Sequence, residues 1–152
     1  LKMNNKKISI LGFSTDGNSS FLKGCAKAPP IIMKAFNSNA TNKFSESGIN
    51  LGMKNLWTYQ SFSEIPSGKE GFQLIRDAVY QELKTGKQCI SIGGDHSITY
   101  PIIDAYKNYF ENINILHFEA HTDIYDNFEN NQYSHESLFA LILENNPSTP
   151  QP

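Results

Sequence analysis

Apolar positions in this chain switch repeatedly between two spacings, and that switching predicts its elements. Lys7 to Phe13 alternates and then turns apolar, which predicts a first strand. Ser14 to Lys27 is a polar loop bearing Asp16, Gly17 and Gly24. Pro29 and Pro30 then introduce Ile31 to Phe36, a short helix with proline in its first turn. Asn37 to Asn50, rich in Asn, Ser and Thr, is an irregular exposed connection, and Leu56 to Tyr59 is a short strand. From Lys69 to Lys84, Phe72, Leu74, Ile75, Ala78, Val79 and Leu83 recur at helical spacing, and Gly86 is placed to end that helix. The apolar run Cys89 to Ile92 predicts the next strand, and Ile98 to Phe110 a helix with Pro101 in its first turn. Ile113 to Phe118 predicts another strand, Glu119 to Ser134 a long polar loop, and His135 to Glu144 a closing helix.

Strand, helix, strand, helix, strand is the grammar of a mainly parallel sheet covered by helices in a three-layer α/β/α arrangement. Residues 7–144 form the folded part on this reading. The tail 145–152 has no periodicity and three prolines and is expected to be disordered. Ligands of such sheets gather at the carboxyl ends of the strands. Two clusters of metal-binding residue types stand there. The first is Gly93-Gly94-Asp95-His96 and the second His117-Phe118-Glu119-Ala120-His121-Thr122-Asp123.

Composition narrows the partners. The 152 residues are enough for one domain with a real core. A net charge of −2 gives no electrostatic footprint for nucleic acid, and the lysines at positions 2, 6 and 7 are too few to make one. No stretch approaches the roughly 20 apolar residues of a membrane helix. The start carries no apolar signal segment, and Met3 is a candidate first residue, so a cytoplasmic location is expected. Cys25 and Cys89 lack metal-motif spacing and read as reduced thiols.

The two clusters would bring the His96 imidazole beside the carboxylates of Glu119 and Asp123 and the His121 imidazole. Such a mixture of hard oxygen and imidazole nitrogen suits manganese or a similar divalent ion, with nickel and zinc also compatible. In an extended segment, positions 119, 121 and 123 point the same way. His117 lies inside the expected strand and reads as a hydrogen-bonded structural residue instead of a ligand. Two divalent ions bridged by carboxylates can lower the pKa of a shared water toward neutrality. A nearby histidine can then protonate a leaving amine.

At these residues the chain resembles the ureohydrolase family, which includes arginase, agmatinase and formiminoglutamase. Gly93-Gly94-Asp95-His96-Ser97 resembles the family's Gly-Gly-Asp-His segment, and Glu119 to Asp123 its Asp-Ala-His-x-Asp segment. Leu11-Gly12-Phe13 through Asp16-Gly17 to Ala28-Pro29 is similar to the opening loop and first helix, and Ser134-His135-Glu136 to the segment before a later helix. The resemblance covers roughly residues 8 to 143. The run Asp123 to Phe128 with Tyr133-Ser134-His135 leans toward the agmatinase-like branch. The resemblance implies an arginase-like fold and a binuclear manganese site that hydrolyses a guanidino compound, usually releasing urea. It implies His96 and Asp123 on one metal, His121 on the other and Glu119 at the bridging position. His135 would line the substrate pocket and shuttle a proton, with Asp123 beside it in the catalytic set.

Two departures accompany the resemblance. Glu119 stands where the family has Asp, and its additional methylene lengthens the side chain by roughly 1.5 Å. Metal–ligand distances tolerate only about ±0.2 Å. The family's later Asp-x-Asp pair also has no counterpart, since the acids after Asp123 are Asp126, Glu129, Glu136 and Glu144. The chain therefore reads as a fold cut short after about half its length, inactive alone, with its hydrolase completed elsewhere. The alternative is a non-catalytic remnant that binds or assembles. An unpaired edge strand invites a homo-oligomer or a second chain that completes the sheet.

Overall fold

The computed structural model describes residues 7–19, 22–53, 55–125, 133–134 and 137–144. Its three strands are β1 (Ile8–Phe13), β2 (Trp57–Phe62) and β3 (Gln88–Gly93), and its helices are α1 (Ala28–Phe36), α2 (Lys69–Lys84), α3 (Thr99–Tyr109) and α4 (Leu138–Glu144). The strands are all parallel, in the order β2-β1-β3, with Ile8 opposite both Trp57 and Gln88. This is the parallel α/β sheet with helices that the periodicity predicts.

That strand order positions the site. The chain steps from β1 to β2 in one direction and from β2 past β1 to β3 in the other. Right-handed crossovers then send α1 and α2 to opposite faces. The loops leaving β1 and β3 meet at the carboxyl ends of these strands, the edge of such a sheet where ligands gather. On one face Leu11 and Phe13 meet Ile75, Val79 and Leu83 of α2 and Ala105 of α3, with Ile98 beside them. The helical stripe is narrower than the sequence implies. Phe72, Ile75, Val79 and Leu83 are buried, whereas Leu74 is 36% exposed because it falls off the three-four spacing. Pro29 and Pro30 sit at the start of α1, where a missing N–H costs nothing, and Met33 is buried one turn on.

Several boundaries differ from the expectation. β2 runs on to Phe62, and α3 is preceded by a 3₁₀ turn at His96–Ile98. The larger difference is Ile113 to Phe118, which the apolar run predicts as a strand. It forms no strand, and Leu116 and Phe118 are 80% and 87% exposed. A strand is held by its ladder and by the surfaces that cover its side chains. Neither is present at this segment among the described residues. Residues 126–132 of the loop, residues 135 and 136 and the tail 145–152 lie outside the described residues.

Candidate metal centre

The loop after β3 is built to hold His96. Gly94 lies so close to β1's exit loop that a Cβ there would meet the Thr15 carbonyl oxygen and Ala26, so only glycine permits the approach. The Asp95 N–H donates to Thr15 O at 3.1 Å. Its buried carboxylate caps the 3₁₀ turn by accepting from the Ser97 N–H at 2.9 Å and the Ser97 hydroxyl. The Asn18 N–H donates to the other Asp95 oxygen at 3.1 Å, and Asn18 Nδ2 donates to Ser97 Oγ at 3.1 Å. His96 thus stands between two residues fixed to the opening loop. Asn18 is a structural member of the site that motif spacing did not reveal, because its pairing with Asp95 spans 77 positions.

His96 Nδ1 lies 2.9 Å from Asp123 Oδ2. Asp123 is only 6% exposed and adopts a φ of 51°, a left-handed conformation that aspartate tolerates better than most residues. Its carbonyl accepts the Phe139 N–H of α4 at 3.0 Å, which ties the loop to the closing helix. The His117 ring packs on Phe139 with centroids 4.2 Å apart and stacks with His96 at 5.7 Å. Donor atoms of His96, His117 and Asp123 all lie within 4.8 Å of one another.

Glu119 and His121 occupy the same cleft but a different arrangement. His96, Glu119, His121 and Asp123 line one open cavity of about 680 Å³ with Ala120, Thr122 and Tyr125. Within it, Glu119 Oε1 accepts from the Ala120 N–H at 2.7 Å and the His121 N–H at 3.3 Å, and sits 3.2 Å from His121 Nδ1. The backbone N–H groups of Ala120 and then His121 hold the Glu119 carboxyl below the usual range. The His121 side chain is 82% exposed. All four candidate ligands drawn from the sequence therefore line one cleft, while His117, to which the sequence assigned a structural role, lies against His96 and Phe139. His135 lies outside the described residues.

The donor set fits a divalent ion. Two donors on adjacent corners of an octahedral ion at about 2.1 Å lie about 3 Å apart, which matches the His96–Asp123 separation. The two cysteines are not part of it. Burial raises both thiols, Cys89 to about 11, which disfavours the thiolate that metal ligation requires.

The Arginase family model matches residues 6–151 of the chain. The chain belongs to the arginase family. It is 38% identical over 147 residues to the rice (Oryza sativa subsp. indica) arginase 1, mitochondrial, which covers 89% of this chain and 42% of the relative. It is 29% identical over 145 residues to the N(1)-aminopropylagmatine ureohydrolase of Thermus thermophilus, covering 90% of this chain and 47% of that one. Among solved structures, arginase from Medicago truncatula superposes with a TM-score of 0.77 at 33% identity, covering 93% of this chain and 47% of that one. The chain spans less than half the length of these arginase-family relatives. Among the described residues no helix is long and apolar enough to cross a membrane.

Proposed function

We propose that the protein is a metal-dependent hydrolase of a linear guanidino compound that releases urea, and that residues 7–144 supply one half of its site. The observation that supports this most is the His96–Asp123 pair, whose donor separation suits one octahedral ion in a cleft also lined by Glu119 and His121. In this reading His96 and Asp123 hold one ion, His121 a second, and Glu119 lies between them. Manganese is the first choice for so oxygen-rich a set, with nickel and zinc as alternatives. The ions supply Lewis acidity and a water acidified toward neutrality.

The protein's own residues do the rest. Asp95, fixed by Asn18, Ser97 and Thr15, holds His96 in place. Tyr125 and Thr122 wall the cleft in which the planar guanidinium lies. His135 gives a proton to the departing amine. The plant relatives named arginase make L-arginine the first substrate to assay, ahead of the agmatine toward which the sequence leans. Free Cys25 and Cys89 fit the reducing cytoplasm expected from the sequence. Exposed Leu116 and Phe118 fit a further polypeptide segment, from a second copy or another chain, that covers them and completes the sheet.

A second reading is favoured by one observation. The Glu119 carboxylate is turned onto the N–H groups of its own loop, as in a protein that has given up a bridging ligand. Urea release from L-arginine and agmatine, assayed with Mn²⁺ and repeated with Asp123→Ala, separates the two readings. Mn²⁺-dependent release abolished by the substitution supports the hydrolase. Metal uptake without release under every condition supports a binding role.

A further inference from the structure

We propose that Lys23 is a positioning residue of the cleft. Its ammonium is the internal cation on which the loop after β1 closes, and that closure holds Asn18 against the loop carrying His96. The inference rests on the metal-binding reading of the cleft only for its consequence at His96.

Two reciprocal clasps close the loop. Lys23 Nζ donates to the carbonyl oxygens of Asp16 at 2.5 Å, Gly17 at 3.1 Å and Ser19 at 3.1 Å. In return the Asp16 carboxylate accepts from the Gly24 N–H at 2.6 Å and the Ala26 N–H at 3.3 Å. Three carbonyl oxygens drawn to one point crowd partial negative charge there, which a cation offsets. An ammonium brings three N–H donors, one for each carbonyl here, and no acceptor. A guanidinium, planar with its donors in a fixed fork, does not match a three-sided cradle.

The residues of the cradle give this contact its reach. Asn18 lies between Gly17 and Ser19, and its N–H and side-chain amide bond to Asp95 and Ser97 on either side of His96. At the ends of the closed loop, Thr15 O accepts the Asp95 N–H, and Gly94 packs against both Thr15 and Ala26. The closed loop is therefore the wall on which the His96 loop is seated. Motif spacing does not single out Lys23, because its partners are backbone atoms.

Hydrogen exchange at the Asn18 amide and calorimetric Mn²⁺ titration, both on the full chain, test the role. Lys23 is exposed, so its replacement leaves the core intact, and the α2 amides serve as the control. In Lys23→Ala the Asn18 amide should exchange about 10-fold faster while α2 stays as it was. Mn²⁺ affinity should fall about 10-fold, the low end for loss of a group that supports a ligand. Methylammonium, with three N–H donors on one charge, should restore both. Tetramethylammonium, with the same charge and no donor, should restore neither. Lys23→Met, which keeps the stem and loses the donors, should repeat the loss. Asn18 protection unaltered in both variants, equal rescue by the two cations, or lost protection with Mn²⁺ affinity intact would each overturn the proposal. An unaltered chain that takes up no Mn²⁺ sinks the metal-binding reading instead, and the exchange and rescue results then decide the role of Lys23.

Discussion

The backbone N–H of Asn18 donates to the buried carboxylate of Asp95 at 3.1 Å across 77 positions of sequence. That bond, with Asn18 Nδ2 on Ser97 Oγ, fastens the loop after β1 to the loop after β3 at the crevice where His96 stands. Asn18→Ala keeps the backbone bond but removes the side-chain one. It should cost about 1 kcal/mol of stability, read from the shift of a urea denaturation midpoint. It should also weaken Mn²⁺ binding, since His96 then loses part of its support. Unchanged metal affinity would mean that this link does not position His96.

The core face of α2 makes a sharper comparison. Ile75 is 1% exposed and packs against Leu11 and Phe13, while Leu74 beside it faces largely outward. Ile75→Ala should destabilise by about 2–5 kcal/mol. Leu74→Ala should cost less than about 1 kcal/mol. Equal losses in chemical denaturation would contradict the assignment of the buried face.

These cases show where sequence pattern carries information. Helical spacing in α2 and apolar runs in β1 and β3 name the elements because burial on one face demands that spacing. His96, Glu119, His121 and Asp123 stand out because metal chemistry restricts residue types, and they do line one cleft. Local pattern cannot show what lies across the fold. Asn18 and Asp95 meet only through tertiary structure, and His117 meets His96 and Phe139 only in the folded chain. The run Ile113 to Phe118 marks residues suited to burial, but whether a partner surface covers them is not written in the run itself.

Glu82 carries an acid-dependent part of the stability. Burial would raise its carboxyl, but hydrogen bonds from Lys87 and Gln60 outweigh that and lower it below the usual glutamate value. A lowered folded value means the contribution is fully present above roughly pH 5 and fades as pH falls through the lowered value. Glu82→Gln should therefore flatten the acid limb of a stability-against-pH curve and leave its slope near neutrality alone. An acid limb of unaltered steepness would show that Glu82 does not carry it.

Glu119 is the residue whose replacement should gain function. Asp at this position matches the length of the residue in the family segment that Glu119 to Asp123 resembles. Glu119→Asp should raise affinity for a second Mn²⁺ and leave the first equivalent unchanged, as measured by calorimetric titration. A second equivalent that stays as weak as in the unaltered chain would show that side-chain length is not what limits it.

We propose that the cleft around His96 and Asp123 binds divalent metal for guanidino hydrolysis. Native mass spectrometry of the protein purified from its own cells tests it most directly, with urea release from L-arginine and agmatine assayed on the same samples. Bound divalent ions, loss of both metal and urea release after chelation, and recovery of both on adding Mn²⁺ are expected. Protein that carries no metal, takes up no Mn²⁺ and releases no urea would contradict it.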